Sequence, residues 1–176
     1  MNVSIYKAVM QPLLSANNVA NISVFASIMA KAYQAATVGF AKTTYGATLV
    51  KGDTAFLESC INNALNANFT DKTRSVNLSA YKLMAAGFLG YWATATFTPL
   101  YPVDKMDVLA TPTKVLIPGQ LNPLGNNLFY SFVLGYTDAH LSAITTSLLA
   151  FQRTISGEIK GSKSGAAVII PWTGII

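Results

Sequence analysis

From Leu78 to Trp92 apolar side chains occupy every face of a helix, and this run constrains the fold more than any other feature of the chain. Leu78, Tyr81, Ala85, Phe88, Leu89 and Trp92 form one stripe at steps of three and four, while Leu83, Met84 and Tyr91 lie off it. A helix that is apolar all round must be covered by neighbours. The pattern therefore predicts a central helix over about 77–95, packed by helices of this chain or of another.

Three further segments carry helical periodicity. Asn21 is a good N-cap for a helix running to about Val38, with Phe25, Ile28, Met29, Ala32, Tyr33 and Ala36 on one face and Gly39 as its stop. Asp53 or Thr54 caps the next, with Glu58 in the early turns. Leu57, Ile61, Ala64, Leu65 and Phe69 line one side of it, and Ser59, Asn62, Asn63 and Asn66 the other. Thr137 or Asp138 caps a last helix bearing Leu141, Ile144, Leu148, Phe151 and Ile155. A shorter helix over Val3–Leu14, with Pro12 as an interruption, and a short strand over Ala47–Val50 complete the first half.

The signal changes over 96–127, where Pro99, Pro102, Pro112, Pro118 and Pro123 fall among glycines and asparagines. Ordered helix is not expected there. Val108-Leu109 and Val115-Leu116-Ile117 are short extended pieces, and Leu128–Leu134 is an apolar run, strand or helix turn. Loops of this length inside compact domains are unusual and tend to be functional. At the C-terminus, Ile155–Lys160 alternates loosely, Gly161–Gly165 is a turn, and Ala166–Trp172 is rich in β-formers, which predicts a hairpin. The expected fold is thus mainly α: a body of about four helices over 1–155 that includes the irregular segment 96–127, followed by an extended arm over 156–176.

The 176 residues are enough for one domain with a sizeable core. Only 11% are charged, against about 25% in an ordinary soluble domain, while 52% are hydrophobic. Twelve basic against seven acidic residues give a net charge of +5. The basic residues are scattered, however, and only Arg74 and Arg153 are arginine, so a specific nucleic-acid site is not expected. Cys60 is the one cysteine, which rules out an internal disulfide and a multi-cysteine zinc site; its neighbours Ile61, Ala64 and Leu65 predict burial. Met1–Lys7 lacks a basic stretch leading into a continuous apolar run, so no signal peptide is expected. The charge-free stretch Leu83–Val103 is long enough to be weighed as a membrane helix, but Thr94, Thr96, Thr98, Pro99 and then Pro102 crowd its second half, and a core helix is favoured.

Residues suited to chemistry are sparse. His140, the sole histidine, reads as a surface or helix N-terminal residue, since no nucleophile elbow accompanies it. Asp104 and Asp107 form the one close carboxylate pair apart from the predicted caps Asp53 and Asp138 and read as solvated loop charges, a paired-carboxylate enzyme being the remote alternative. Gly119–Gly125 lacks the Gly-Lys-Ser/Thr ending of a phosphate cradle. Gly87-Phe88-Leu89-Gly90 permits close helix approach. No catalytic, cofactor or metal residue is assigned, and no cofactor is expected.

An apolar loop and tail on a weakly charged body are features of a subunit that buries these parts against neighbours, with the arm able to add a strand to an adjoining sheet. The candidate interface residues are Leu116, Ile117, Leu121, Val168, Ile169, Ile170, Trp172, Ile175 and Ile176. Phe25–Tyr33, Tyr45-Gly46, Lys51-Gly52-Asp53, Ala64-Leu65 and Ile117-Pro118-Gly119 together resemble small structural proteins of tailed bacteriophage virions, of the neck, tail or baseplate adaptor type. The resemblance covers the middle two-thirds of the chain. It implies a non-enzymatic virion subunit, assembled in the host cytoplasm, that forms a ring with copies of itself and contacts other virion proteins. A small membrane-associated protein using 83–100 is the alternative.

Overall fold

The computed structural model describes residues 1–15, 21–70, 78–98, 111–116, 121–133 and 137–176. In chain order these form α1 (Val3–Ser15), α2 (Ile22–Thr37), β1 (Leu49–Lys51), α3 (Thr54–Thr70), α4 (Leu78–Ala93), β2 (Thr96–Phe97), β3 (Thr111–Leu116), α5 (Leu121–Val133), α6 (Asp138–Gln152), β4 (Ser156–Lys163) and β5 (Ala166–Thr173). Each helix packs on the next, and α1 meets α6, so the six form a closed circuit.

The helix starts follow from local chemistry. Asn21 Oδ1 accepts the amides of Ser23 and Val24 at the head of α2. Asp53 Oδ1 accepts the Phe56 amide at 2.9 Å, and Thr137 Oγ1 accepts that of His140 at 3.3 Å. Each satisfies donors that the first helical turn leaves without an intrahelical partner.

The chain is mainly helical, as the periodicity predicts, but the described residues hold six helices and not about four. The irregular segment 96–127 is also broken up: β2, β3 and the start of α5 fall within it, while 99–110 and 117–120 lie outside the described residues. Pro123 is compatible with α5 because it sits in the first turn, where its missing N–H costs no intrahelical bond. Leu124 and Leu128, one turn apart, bury the inner face of that helix.

Helix α4 is not covered on every side. Tyr81, Met84, Ala85, Phe88, Tyr91 and Trp92 are buried, whereas Leu78 and Leu83 remain exposed. The helix ends at Ala93 and the chain turns into β2, so 83–100 does not form one continuous helix. Gly87 is what brings α3 onto α4: a Cβ at that position would lie 2.6 Å from Cys60 Cβ. Cys60 is buried at this contact, as its neighbours predict.

Six aromatic rings link the helices to the C-terminal sheet. Tyr33 meets Phe88 and Tyr91 edge-on at 4.9 and 5.0 Å, Tyr91 meets Trp92 at 5.6 Å, and Trp92 stacks on Phe97 at 6.4 Å. Phe97 then meets Trp172 of β5 at 5.9 Å. Three polar atoms inside this apolar centre are joined through Tyr33. Its Oη accepts from Trp92 Nε1 and from Gln152 Nε2, both at 2.8 Å. The Tyr91 hydroxyl is hydrogen-bonded to Thr37 Oγ1 at 2.7 Å.

Candidate functional site

Two antiparallel β elements are joined by the C-terminal tail. The first is the sheet β3–β4–β5, in which Thr111 to Leu116 pair with Lys160 to Ser156, and β4 pairs with β5 from Ser156–Thr173 to Lys163–Ala166. Ser164 and Gly165 connect β4 to β5 with φ of 50° and 83°, the left-handed values of a type I′ hairpin turn. The second element is smaller. Lys42 bridges Thr48, Leu49 and Lys51 of β1 pair with Phe97 and Thr96 of β2, and the chain end returns to run beside Lys42.

That return is held by backbone hydrogen bonds. Gly174 N–H donates to Ile155 O at 2.7 Å and Ile175 N–H to Gln152 O at 3.0 Å, while Lys42 and Ile176 exchange both of their bonds at 2.9 Å. Ile170, Trp172 and Ile175 are consequently buried in the chain's own core, with Trp172 only 1% exposed. Val168 is half-buried; Ile169 and Ile176 are 57% and 69% exposed. Of the remaining candidate interface residues, Leu116 closes β3 opposite Ser156, Leu121 opens α5, and Ile117 lies outside the described residues.

Exposure alternates along both elements. Ala41, Thr43, Leu49 and Ile175 point inward, whereas Lys42, Val50 and Ile176 lie on the outer face, with Phe40 exposed in the turn leading to it. On the hairpin, Val168, Ile170 and Trp172 face the body, and Ala167, Ile169, Pro171 and Thr173 face solvent beside Glu158, Lys160 and Ser162. The charges on these strands are few: Lys42 and Lys51 near the small element, Lys114 on β3, and Glu158, Lys160 and Lys163 on β4.

The hairpin register also fixes which amides are used. A two-residue turn makes Lys163 and Ala166 a hydrogen-bonded pair, so the bonded pairs continue at Val168, Ile170 and Trp172. The amides of Ala167, Ile169 and Thr173 point away from β4, and the nitrogen of Pro171, which carries no proton, does so as well. Pro112 on β3 stands opposite Ile159, whose bonds go to β5, so its nitrogen also faces outward; a bulge follows between Pro112 and Lys114. Both prolines sit where a strand tolerates them.

Elsewhere, an open cleft of about 500 Å³ is lined by Gln34, Lys51, Asp53, Thr54, Thr94 and Thr96, and a smaller one of about 100 Å³ lies between α5 and α6. In the first, Asp53 is already engaged in capping α3. His140 is a helix N-terminal residue as expected, but it is not on the surface: it is buried in α6 with 0% exposure. Asp104 and Asp107 lie outside the described residues. Among the described residues, no three His, Cys, Asp or Glu side chains come together, and no helix is long and apolar enough to cross a membrane. Burial pushes the Cys60 thiol pKa up, which disfavours the reactive thiolate. Burial also raises Tyr6 and Tyr33 well above the ordinary phenol range and pushes Tyr91 up to about 12.

The sequence pattern locates the hairpin and the apolar character of the tail. It does not reveal that the tail closes on Lys42, because that pairing joins residues far apart in the sequence. The chain matches no protein-family model, no curated protein and no solved structure.

Proposed function

We propose that this protein is a non-enzymatic structural subunit that assembles with copies of itself and with other structural proteins, in the manner of the virion components that its sequence resembles. The observation that carries this is the set of exposed apolar side chains on the two β elements that the C-terminal tail joins. Val50, Ile176 and Phe40 on one, and Ile169 on the other, stay in solvent although the tail has already buried Ile170, Trp172 and Ile175. Val24, Phe56, Leu83 and Tyr130 on the helices are exposed as well, and large apolar side chains left in solvent by a weakly charged chain are surface that a partner can cover. A closed ring follows if the contact is head-to-tail, and a dimer if it is two-fold.

Light scattering after size exclusion, without detergent, tests the role directly. A defined multimer supports it. A protein that elutes as a monomer at every concentration removes self-assembly, and recovery only in detergent replaces the role with a membrane-associated one.

A further inference from the structure

The two edges of the sheet β3–β4–β5 are unequal. The β3 edge is interrupted by Pro112 and its bulge. Among the described residues β5 has no strand on its outer side, and its pairing with β4 runs without a break over eight residues. Natural sheets protect such edges with charge, proline or bulges. On β5 the only such feature is Pro171, near the body; Ala166–Ile170 has none, and Ile169 is 57% exposed.

We infer that β5 is the self-association edge of this protein, pairing antiparallel with β5 of a second copy about a two-fold axis through Val168. This rests on the assembly role proposed above and names its partner. The outward-facing residues determine the register. Centring on Val168 sets Ala167 opposite Ile169 of the second copy, and Ile169 opposite Ala167 of the second copy, which gives four ladder hydrogen bonds from amides and carbonyls that β4 does not use. Pro171 then falls opposite the turn residue Gly165 and interrupts nothing. Shifting the centre to Ile169 would set Pro171 opposite Ala167 and remove a bond from each half.

The occupant is a second copy because β5 carries no charged residue, so the strand faces itself without like-charge opposition. Val168, half-buried in one chain, meets its counterpart at the axis, and Ile169 is covered by Ala167 of the second copy. The contact is smaller than a standard interface of about 1,600 Å², so the pairing is weak and concentration-dependent unless further contacts in an assembly reinforce it.

The test is residue-resolved amide hydrogen exchange on the full chain at low-micromolar and near-millimolar protein, with light scattering on the same samples. In the single chain the amides of Ala167 and Ile169 exchange fast and those of Val168 and Ile170 slowly. Edge pairing slows Ala167 and Ile169 by about tenfold or more at high concentration and leaves Val168 and Ile170 unchanged. Ile169→Pro, which removes an amide that β4 does not use, and Ala167→Lys, which sets like charges beside the axis, should each abolish that slowing while retaining the parent circular dichroism. If a multimer forms while Ala167 and Ile169 exchange fast throughout, the edge pairing is wrong and assembly proceeds through another surface. If the protein stays monomeric at both concentrations, the edge pairing and the self-assembly role fall together.

Discussion

Lys42 and Ile176 form a reciprocal backbone pair, each amide donating to the other's carbonyl at 2.9 Å, and so tie the C-terminal residue to the loop that follows α2. The tail that leads there crosses Ile155 and Gln152 at the end of α6, pairs with Thr43 at Ile175, and buries the Ile175 side chain. In this way the tail links the first helices to the last.

Ile175→Ala should therefore lower unfolding free energy by about 2–5 kcal/mol, the cost of removing a buried Ile side chain that neighbours cannot fully replace. Ile176→Ala, at a position 69% exposed, should change it by less than about 0.5 kcal/mol, because the backbone pair with Lys42 is retained. Urea denaturation of the two variants distinguishes a structural tail from a dispensable one; equal midpoints would mean that the tail does not contribute to the fold.

Tyr33 is the acceptor on which two buried donors depend. Tyr33→Phe leaves both Trp92 Nε1 and Gln152 Nε2 without the partner they have now, at a cost of about 2–5 kcal/mol. Tyr91→Phe is milder, about 1 kcal/mol, because Thr37 Oγ1 still donates to the Tyr33 carbonyl at 2.8 Å. The order of the two losses is the point of comparison. A larger effect at Tyr91 than at Tyr33 would show that the buried network is organised differently.

Both observations bear on what the sequence makes legible. Helix starts could be read because the chemistry is local: Asn21, Asp53 and Thr137 act on amides two or three residues away. The hairpin was equally visible in its alternation. α5 was hidden because five prolines in one stretch suggest irregular chain, although a proline in a first turn, as at Pro123, is harmless. The Tyr33 centre joins residues 59 and 119 positions apart, and no periodicity encodes such a contact. Leu83 and Leu78 look identical to buried leucines in the sequence, since exposure depends on which neighbours arrive. Among the candidate interface residues, apolarity alone could not separate Trp172 and Ile175, used by the core, from Ile169 and Ile176, left outside it.

The buried phenols make stability fall in alkali. Burial raises the pKa of Tyr6, Tyr33 and Tyr91 in the folded state above the unfolded value of 10.0, for Tyr91 to about 12. Above pH 10 the unfolded chain has released protons that the folded chain retains. The contribution is therefore complete below pH 10 and is lost as pH rises through the folded values, at up to about 1.4 kcal/mol per pH unit for each tyrosine. The urea midpoint should be level from pH 8 to 9 by this effect and drop steadily beyond 10.0. Tyr91→Phe should make the alkaline slope shallower by one group; an unchanged slope would exclude Tyr91 as a contributor.

Gly87→Ala probes the α3–α4 contact. The added Cβ would come 2.6 Å from that of Cys60, and helix backbones cannot absorb this by rotating a side chain. The helices must separate, at about 1–3 kcal/mol. Separation should also increase the accessibility of Cys60, so labelling of the native variant by a thiol reagent should be faster than labelling of the parent. Unchanged stability together with unchanged labelling would mean that α3 and α4 are not in such close contact.

Pro171 limits how far the β5 edge can extend. Its nitrogen faces away from β4, so Pro171→Val removes no bond from the hairpin and adds an outward amide, making the open edge continuous from Ala167 to Thr173. A longer, uncharged, apolar edge pairs with less control of register. The variant should keep the parent fold by circular dichroism but associate at lower concentration and into larger, less uniform species, measured by light scattering and by binding of an amyloid dye. Pro171→Lys, which also restores the amide but adds a charge, should associate no more than the parent. If Pro171→Val and the parent have the same size distribution, Pro171 does not guard this edge and association is controlled elsewhere on the molecule.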